Sequence, residues 1–247
     1  MEDGKLTVRA VERALDILMC FTRNNSLSLT EIAGAVGLHK STVHRLMTTL
    51  EEKGFVSRDA STEKYRLGIK IWELSAHLSN TDDPALLLLP SMERLRDELD
   101  ETVSLYVRDG RERLRIQAVQ STQAIRRVAP VGARLPLYVG ASSKVLVAFA
   151  SEREQEYILS DPVWPDTFGR TAFRDQLRAI RAAGYAISVE EREQGATSVA
   201  APVFDRQGNL AAALSVSGPL ARLPVEKLES YAPLLMDRAR EMSLMIR

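Results

Sequence analysis

Cysteine occurs once in 247 residues, at Cys20, so the chain cannot close a disulfide on itself. Cys20 sits among helically spaced apolar residues and reads as a small buried hydrophobe or, alternatively, a reactive thiol. Histidine occurs three times, at His39, His44 and His77. Beyond His77 there is neither histidine nor cysteine, so no Ser-His-Asp or Cys-His site can be assembled there. A zinc site in that part would have to use carboxylates alone. An excess of either charge is also missing, with 33 basic and 33 acidic residues. Attraction to a polyanion must therefore come from local placement. The apolar run Ala85 to Leu89 is far too short to cross a bilayer. Met1-Glu2-Asp3-Gly4 is acidic and no apolar segment follows, so no signal peptide is expected. Internal repeats, low-complexity tracts and a phosphate-binding glycine loop are absent. These absences lead to the expectation of a cytoplasmic protein with no membrane partner, catalytic residue, cofactor or metal.

What remains is an ordinary globular composition, 45% hydrophobic and 27% charged, long enough for one to two domains. The most informative stretch runs from Ser28 to Gly68. Before it, Val11, Leu15, Leu18 and Phe21 predict an amphipathic helix over Val8 to Thr22. Ser28-Leu29-Thr30-Glu31 is a capping box opening a short helix with Ile32, Ala33 and Val36 apolar. Gly37 supplies the left-handed residue for a tight turn, and Leu38 points inward. A second helix, Lys40 to Lys53, places Val43, Leu46, Met47 and Leu50 on a buried stripe. Its other face carries Lys40, Ser41, Thr42, His44, Arg45 and Thr48, groups able to reach base edges and phosphates. Gly54 ends it. Phe55-Val56 and Lys64 to Leu67 read as a hairpin whose Arg58, Lys64 and Arg66 suit phosphate or minor-groove contact. Any one amphipathic helix with Lys and Arg is usually just a solvated face. All these signals in order predict a winged helix-turn-helix with double-stranded DNA as partner.

Three regions are expected: the winged helix-turn-helix at 1–68, a linker helix and hinge at 69–82, and a second domain at 83–247. Ile69 to Ser79 reads as the linker helix, packing on a dimer mate or within its own chain. The stretch to Pro84 reads as the hinge. A helix over Ala85 to Glu101, bent near Pro90, precedes a change to period two. Thr102 to Arg108, turned by Asp109-Gly110, pairs with Leu114 to Val119, where Leu114, Ile116 and Ala118 alternate with polar residues. Arg126 to Pro130 reads as a third strand. Helices follow over Ser142 to Ala150, Glu152 to Leu159 (capped by Ser151 with Glu154) and Ala172 to Ala183. Tyr185 to Val189, Thr197 to Phe204 and Leu210 to Ser217 read as strands, and Val225 to Ile246 as a closing helix. The fold class is α+β with an antiparallel sheet.

Arg13 to Leu18, Leu29 to Ala33, Lys40 to Leu46, Gly184-Tyr185-Ala186, Val199 to Asp205 and Leu214 to Pro219 together resemble the IclR family of bacterial transcriptional regulators. The resemblance runs from about Thr7 to Ile246. It implies dimers or dimers of dimers on palindromic operators, and a C-terminal effector-binding domain related to GAF and PAS folds. It places an effector pocket at Leu135, Ala141, Ser142, Ser198, Ser215 and Ser217. The chemistry is sensible on its own terms. Gly140-Ala141-Ser142-Ser143 opens a helix whose free N–H groups can hold a carboxylate, and small residues leave room for a ligand. A small organic or aromatic acid is the implied effector. The serines read equally as partners of backbone groups at strand ends.

Three departures stand out. Tyr138 replaces a common His, Ser198 a common Cys, and His39 occupies an N-cap where Ser or Pro is usual, which weakens the cap. Arg126, Arg127 and Arg134 read as partners of an acidic ligand or as a solvated strand edge. Two rival readings remain for the second domain. It only oligomerises, or it is a tethered enzyme built on Glu190, Glu191 and Glu193. The enzyme reading is weak because Glu190 and Glu191, adjacent on a strand, would face opposite sides.

Overall fold

Residues 7–22, 24–78, 83–126, 128 and 130–246 are described by a computed structural model, with the side chains of residues 77 and 78 outside the description. The chain divides into two compact units, residues 1–80 and 81–247.

In the first unit, α1 (Arg9–Cys20), α2 (Leu29–Val36) and α3 (Lys40–Glu52) precede a hairpin of β1 (Val56–Arg58) and β2 (Tyr65–Leu67), then α4 (Ile69–Leu78). The capping box forms as the sequence requires. Ser28 Oγ accepts from the Glu31 N–H at 3.3 Å, and the Ser28 N–H donates to Glu31 Oε2 at 2.7 Å. The Ser28 N–H and then the Ser28 hydroxyl, both donating to Glu31 Oε2, hold that carboxyl below its usual range. Gly37 ends α2 in the left-handed region at φ 64°, so α3 departs at once in a new direction. Ile17, Phe21, Ile32, Val43, Met47, Leu50, Val56 and Tyr65 close the core. Leu27 and Tyr65 exchange both backbone hydrogen bonds, at 3.0 and 2.7 Å, stitching the segment before α2 to the hairpin.

The first helix differs from expectation. Its buried face is Ile17 and Phe21 with Ala14 and Leu18 beside them, whereas Val11 and Leu15 are more than half exposed. The helix has two apolar stripes, and periodicity alone does not say which one the core takes. Val8, Val11, Leu15 and Met19 form the outer stripe.

In the second unit, α5 (Pro84–Leu87) and α6 (Leu89–Leu99) lead into β3 (Thr102–Asp109) and β4 (Glu112–Val119). β5 (Arg134–Pro136), α7 (Ala141–Ala148), α8 (Glu152–Leu159) and α9 (Arg170–Ala183) follow. β6 (Ala186–Val189), β7 (Ala196–Phe204), β8 (Leu210–Pro219) and α10 (Val225–Ser243) complete it. The expected helix over 85–101 is broken at Leu88, and Pro90 sits in the first turn of α6, where its missing N–H costs nothing. The strands form one antiparallel sheet in the order β5-β4-β3-β8-β7-β6. The third strand is β5, not residues 126–130. Of these, 126, 128 and 130 are in no strand, while 127 and 129 lie outside the described residues.

Helices cover both faces of the sheet. Val103, Leu105, Val199, Val203, Leu214 and Val216 pack on α6 and α10, with Met92, Leu95, Leu228 and Leu235. The opposite face meets α7 and α9 through Tyr106, Ala186, Ala200 and Ala213. Two-sided burial reverses the expectation for β4. Arg113 and Arg115 are 4% and 1% exposed, while Leu114 is only half-buried.

Gly68 marks a close approach that positions the hairpin. Its N–H donates to the Phe55 carbonyl at 2.8 Å, and a Cβ there would lie 2.2 Å from the Gly54 carbonyl oxygen. That oxygen, the Gly54 carbonyl carbon and the Val56 nitrogen are all backbone and cannot step aside. Gly68→Ala is expected to destabilise the first unit by about 1–3 kcal/mol or more. Hydrogen exchange should show the loss in 7–78 and leave the sheet of the second unit protected.

Candidate functional site

The DNA-facing candidates separate into two electrostatic classes. On α3, Lys40, Ser41, His44, Arg45 and Thr48 are exposed and Thr42 is half-buried, opposite the buried Val43, Met47 and Leu50. Lys40 and Arg45 have no ion-pair partner among the described residues. Thr48 Oγ1 donates to the His44 carbonyl at 3.0 Å, and Thr49, which the sequence reading passed over, does the same to Arg45 at 3.1 Å. Thr49 is exposed one turn beyond Arg45, so it belongs to the same outward face.

His39 caps α3 after all. Its Nδ1 accepts from the Ser41 N–H at 3.4 Å and lies 2.9 Å from Ser41 Oγ. An imidazole reaches the position a serine hydroxyl would fill, so the cap expected to be weak is present.

On the hairpin, the cations are already engaged. Arg66 pairs with Asp59 at 2.7 Å and Arg58 with Glu63 at 3.1 Å. Asp59 also accepts from the Ser61 hydroxyl and from the Ser61 and Thr62 amides, bonds that lower its pKa to about 2. Lys64 is half-buried at the strand edge. A DNA phosphate must compete with carboxylates for Arg58 and Arg66, but not for Lys40 or Arg45.

In the second unit, a row of hydroxyls runs across the sheet face that meets α7. Ser188 on β6 is in register with Ser198 on β7, and Ser198 with Ser217 on β8. Ser104 on β3 stands opposite Ser215 on β8. Ser142, Ser188, Ser198, Ser215 and Ser217 line one small cavity with Tyr106, Arg113, Gly140, Ala196, Thr197 and the Arg192 and Glu193 ion pair. The structure thus brings four of the six expected effector residues together. Leu135 and Ala141 do not line it: Leu135 stands beside Arg113 in the β4–β5 register, and Ala141, the first residue of α7, is buried in the core. The cavity measures about 30 Å³, room for one or two waters or a carboxylate group.

The residues missed by the sequence reading are Tyr106, Arg113, Arg115, Ser188 and Arg192. Both buried arginines flank the Tyr106 ring, at 5.0 and 5.1 Å from its centroid. Arg115 Nε donates to the Tyr106 hydroxyl at 3.0 Å. Arg113 Nη1 donates to Ser142 Oγ at 2.8 Å. Burial drives the Arg113 pKa down to about 10, still far above neutrality, so the guanidinium stays charged. Gly140 makes this possible. Its φ of 96° suits glycine, and a Cβ there would sit 2.9 Å from Arg113 Nη1.

The helix start is occupied by the chain's own carboxylate. The Gly140 N–H donates to Glu191 Oε2 at 3.0 Å, and Lys144 pairs with Glu191. Glu190 instead accepts from the Gly195 N–H at 2.6 Å, so the neighbouring acids do diverge. Tyr138 lies apart from the serines, stacked near Trp164 and Phe168 at 5.8 and 5.2 Å. It lines a second cavity of about 280 Å³ with Lys144, Phe168, Phe173 and Glu191. Arg134 is taken up by Asp109 and Glu112, and Arg126 by Gln120 and the Gln123 carbonyl. Residue 127 lies outside the described residues. Among the described residues, no group of three His, Cys, Asp or Glu is placed to hold a metal, and no helix is long and apolar enough to cross a membrane.

Residues 84–244 match the family described as "Bacterial transcriptional regulator IclR C-terminal", and residues 10–60 match "IclR helix-turn-helix domain". The chain is 32% identical to the HTH-type transcriptional regulator KipR of Bacillus subtilis, over 96% of this chain and 95% of that protein. It is 28% identical to the transcriptional repressor IclR of Escherichia coli, over 96% and 89% of the two chains. Among solved structures, an IclR homolog complexed with 4-hydroxybenzoate, from Microbacterium hydrocarbonoxydans, superposes with a TM-score of 0.85. It is 28% identical and the match covers 96% of this chain and 99% of that one.

The cap on α3 can be tested without DNA. His39→Ala is expected to cost about 0.5–2 kcal/mol, whereas His39→Ser should retain most of the stability. Urea unfolding of both variants beside the wild type decides, and equal loss in both would remove the side-chain cap from the account.

Proposed function

The chain belongs to the IclR family of bacterial transcriptional regulators, and from that membership and the site geometry we propose a regulator that binds a palindromic operator and answers to a small carboxylic acid. It is a DNA-binding transcriptional regulator and not an enzyme. The observation that carries the DNA side of the proposal is the outward face of α3. Lys40 and Arg45 stand there without ion partners, among Ser41, Thr42, His44 and Thr48. A helix in the major groove reads bases with such groups, and a guanidinium can bond a guanine edge at two points. Arg58, Lys64 and Arg66 supply phosphate or minor-groove contacts once the hairpin carboxylates yield them.

A homodimer, or a dimer of dimers, places two such helices on one operator. Support comes from exposed apolar side chains in the first unit: Val8, Val11, Leu15 and Met19 along α1, and Ile69, Trp72 and Leu74 on α4. Stripes of this kind fit burial against a second copy. Half-sites then lie roughly one or more helical turns apart.

The cavity lined by Ser142, Ser198, Ser215 and Ser217 is the effector site in this proposal, and Leu135 and Ala141 stand outside its lining. The bound 4-hydroxybenzoate of the Microbacterium relative supports an acid as ligand. A domain that only oligomerises would have no use for a hydroxyl-lined cavity with a buried cation.

Footprinting of the full chain on its selected operator is expected to protect two half-sites related by two-fold symmetry. Protection of a single half-site would sink the dimer arrangement. Arg45→Ala should weaken specific binding by about 1–3 kcal/mol and leave random-sequence DNA nearly unaffected. Equal loss on both DNAs would make Arg45 a phosphate contact only.

A further inference from the structure

Arg113 and Arg192 line the serine cavity, Arg115 lies against the Tyr106 ring, and the three differ in their partners. Arg192 pairs with Glu193 at 2.7 Å. Arg115 is bound through the Tyr106 hydroxyl. Arg113 is 4% exposed and has no carboxylate within 4.0 Å among the described residues. Its hydrogen bond is the one to Ser142 Oγ, and its Nε is fully buried without any partner. Glu191 acts on it only at longer range, because that carboxylate is held by Lys144 and the Gly140 N–H.

A buried charge without a partner is strongly unfavourable, and native proteins keep one where a ligand completes it. Tyr106 offers the guanidinium its ring face, which stabilises a cation but forms no hydrogen bond with it. Gly140 clears the space the guanidinium occupies. Around it stand hydroxyls that can donate to an anion: Ser188, Ser198, Ser215 and Ser217. A planar fork of N–H donors suits a carboxylate bound at two points.

We propose that Arg113 is the side chain that receives the effector's carboxylate, with the Ser198, Ser215 and Ser217 hydroxyls completing the anion's hydrogen bonds. This inference rests on the sensor reading above and adds to it the group that selects charge. The cavity of about 30 Å³ admits the carboxylate end. Any larger body must extend out of it; Glu191, which accepts from the N–H of the cavity-lining Gly140, also lines the separate cavity of Tyr138, Phe168 and Phe173.

The test uses the full chain and pairs each acid with its amide: acetate with acetamide, pyruvate with pyruvamide, 4-hydroxybenzoate with 4-hydroxybenzamide. Thermal unfolding is followed for the wild type, Arg113→Gln and Arg113→Lys. The expected result has two parts. At least one acid raises the wild-type Tm while its amide does not, and Arg113→Gln weakens that acid's binding at least a hundredfold, with Arg113→Lys between. Without any probe, Arg113→Gln is as stable as the wild type or more so, because it removes an uncompensated buried charge. A purely structural arginine would instead lower the unliganded Tm in both variants, and failure of both to fold has the same meaning; either overturns the proposal. So does an acid that stabilises Arg113→Gln as well as the wild type. Stabilisation by an amide as strong as by its acid overturns charge selection and leaves the sensor reading standing. Silence of every acid and amide on the wild type overturns the sensor reading, and the assignment of Arg113 with it.

Discussion

The second unit depends on an asymmetry between the two faces of its sheet. Toward α6 and α10 the strands present Val103, Leu105, Val199, Leu214 and Val216, which interdigitate with Met92, Leu95, Leu228 and Leu235. Toward α7 the central strands present Ala200, Ala213, Ser198, Ser215 and Ser217. A close-packed interior cannot be filled by methyl and hydroxymethyl groups alone. Helix α7 packs directly on Ala200 and Ala213, and beside them a small cavity of about 30 Å³ remains, polar because serines line it.

Arginine chemistry then assigns tasks. Twelve of the described arginines are matched to acids, among them Arg66 with Asp59, Arg222 with Glu101 and Arg174 with Glu156. Such pairs position loops and hairpins, and exposed ones contribute little to stability. Arg45 at the surface and Arg113 in the interior lack an acidic partner among the described residues. The cost differs greatly between them. Water solvates the first, whereas the second is held in low dielectric between a tyrosine ring and a serine hydroxyl. One cation is available to a polyanion outside, the other to a small anion inside. In the function proposed above, the same residue type serves both halves of the protein.

Local signals in the sequence carried the first unit almost completely. The Ser28–Glu31 box, the Gly37 turn and the Ser151–Glu154 box each close within four residues, and hydrogen bonds of that span depend little on distant chain. The Asp109-Gly110 hairpin is legible for the same reason. Where local rules admit two outcomes, the reading went astray. Helix α1 has two apolar stripes, and the choice of Ile17 and Phe21 over Val11 and Leu15 is made by α2 and α3. The β4 alternation pointed to Leu114 and Ile116 as the inward face, but with helices on both sides there is no outward face for the arginines to take.

The sequence by itself therefore determined the elements, the order of helix, turn and wing, and the small residues that leave a cavity, because propensity, caps and side-chain size are written residue by residue. Tertiary structure alone decided the electrostatics of that cavity. It set Glu191 on the Gly140 amide across 51 positions and Arg113 on Ser142 across 29. Burial converts an ordinary arginine into an uncompensated charge only when sheet, helix and glycine enclose it together, and no local pattern encodes that enclosure.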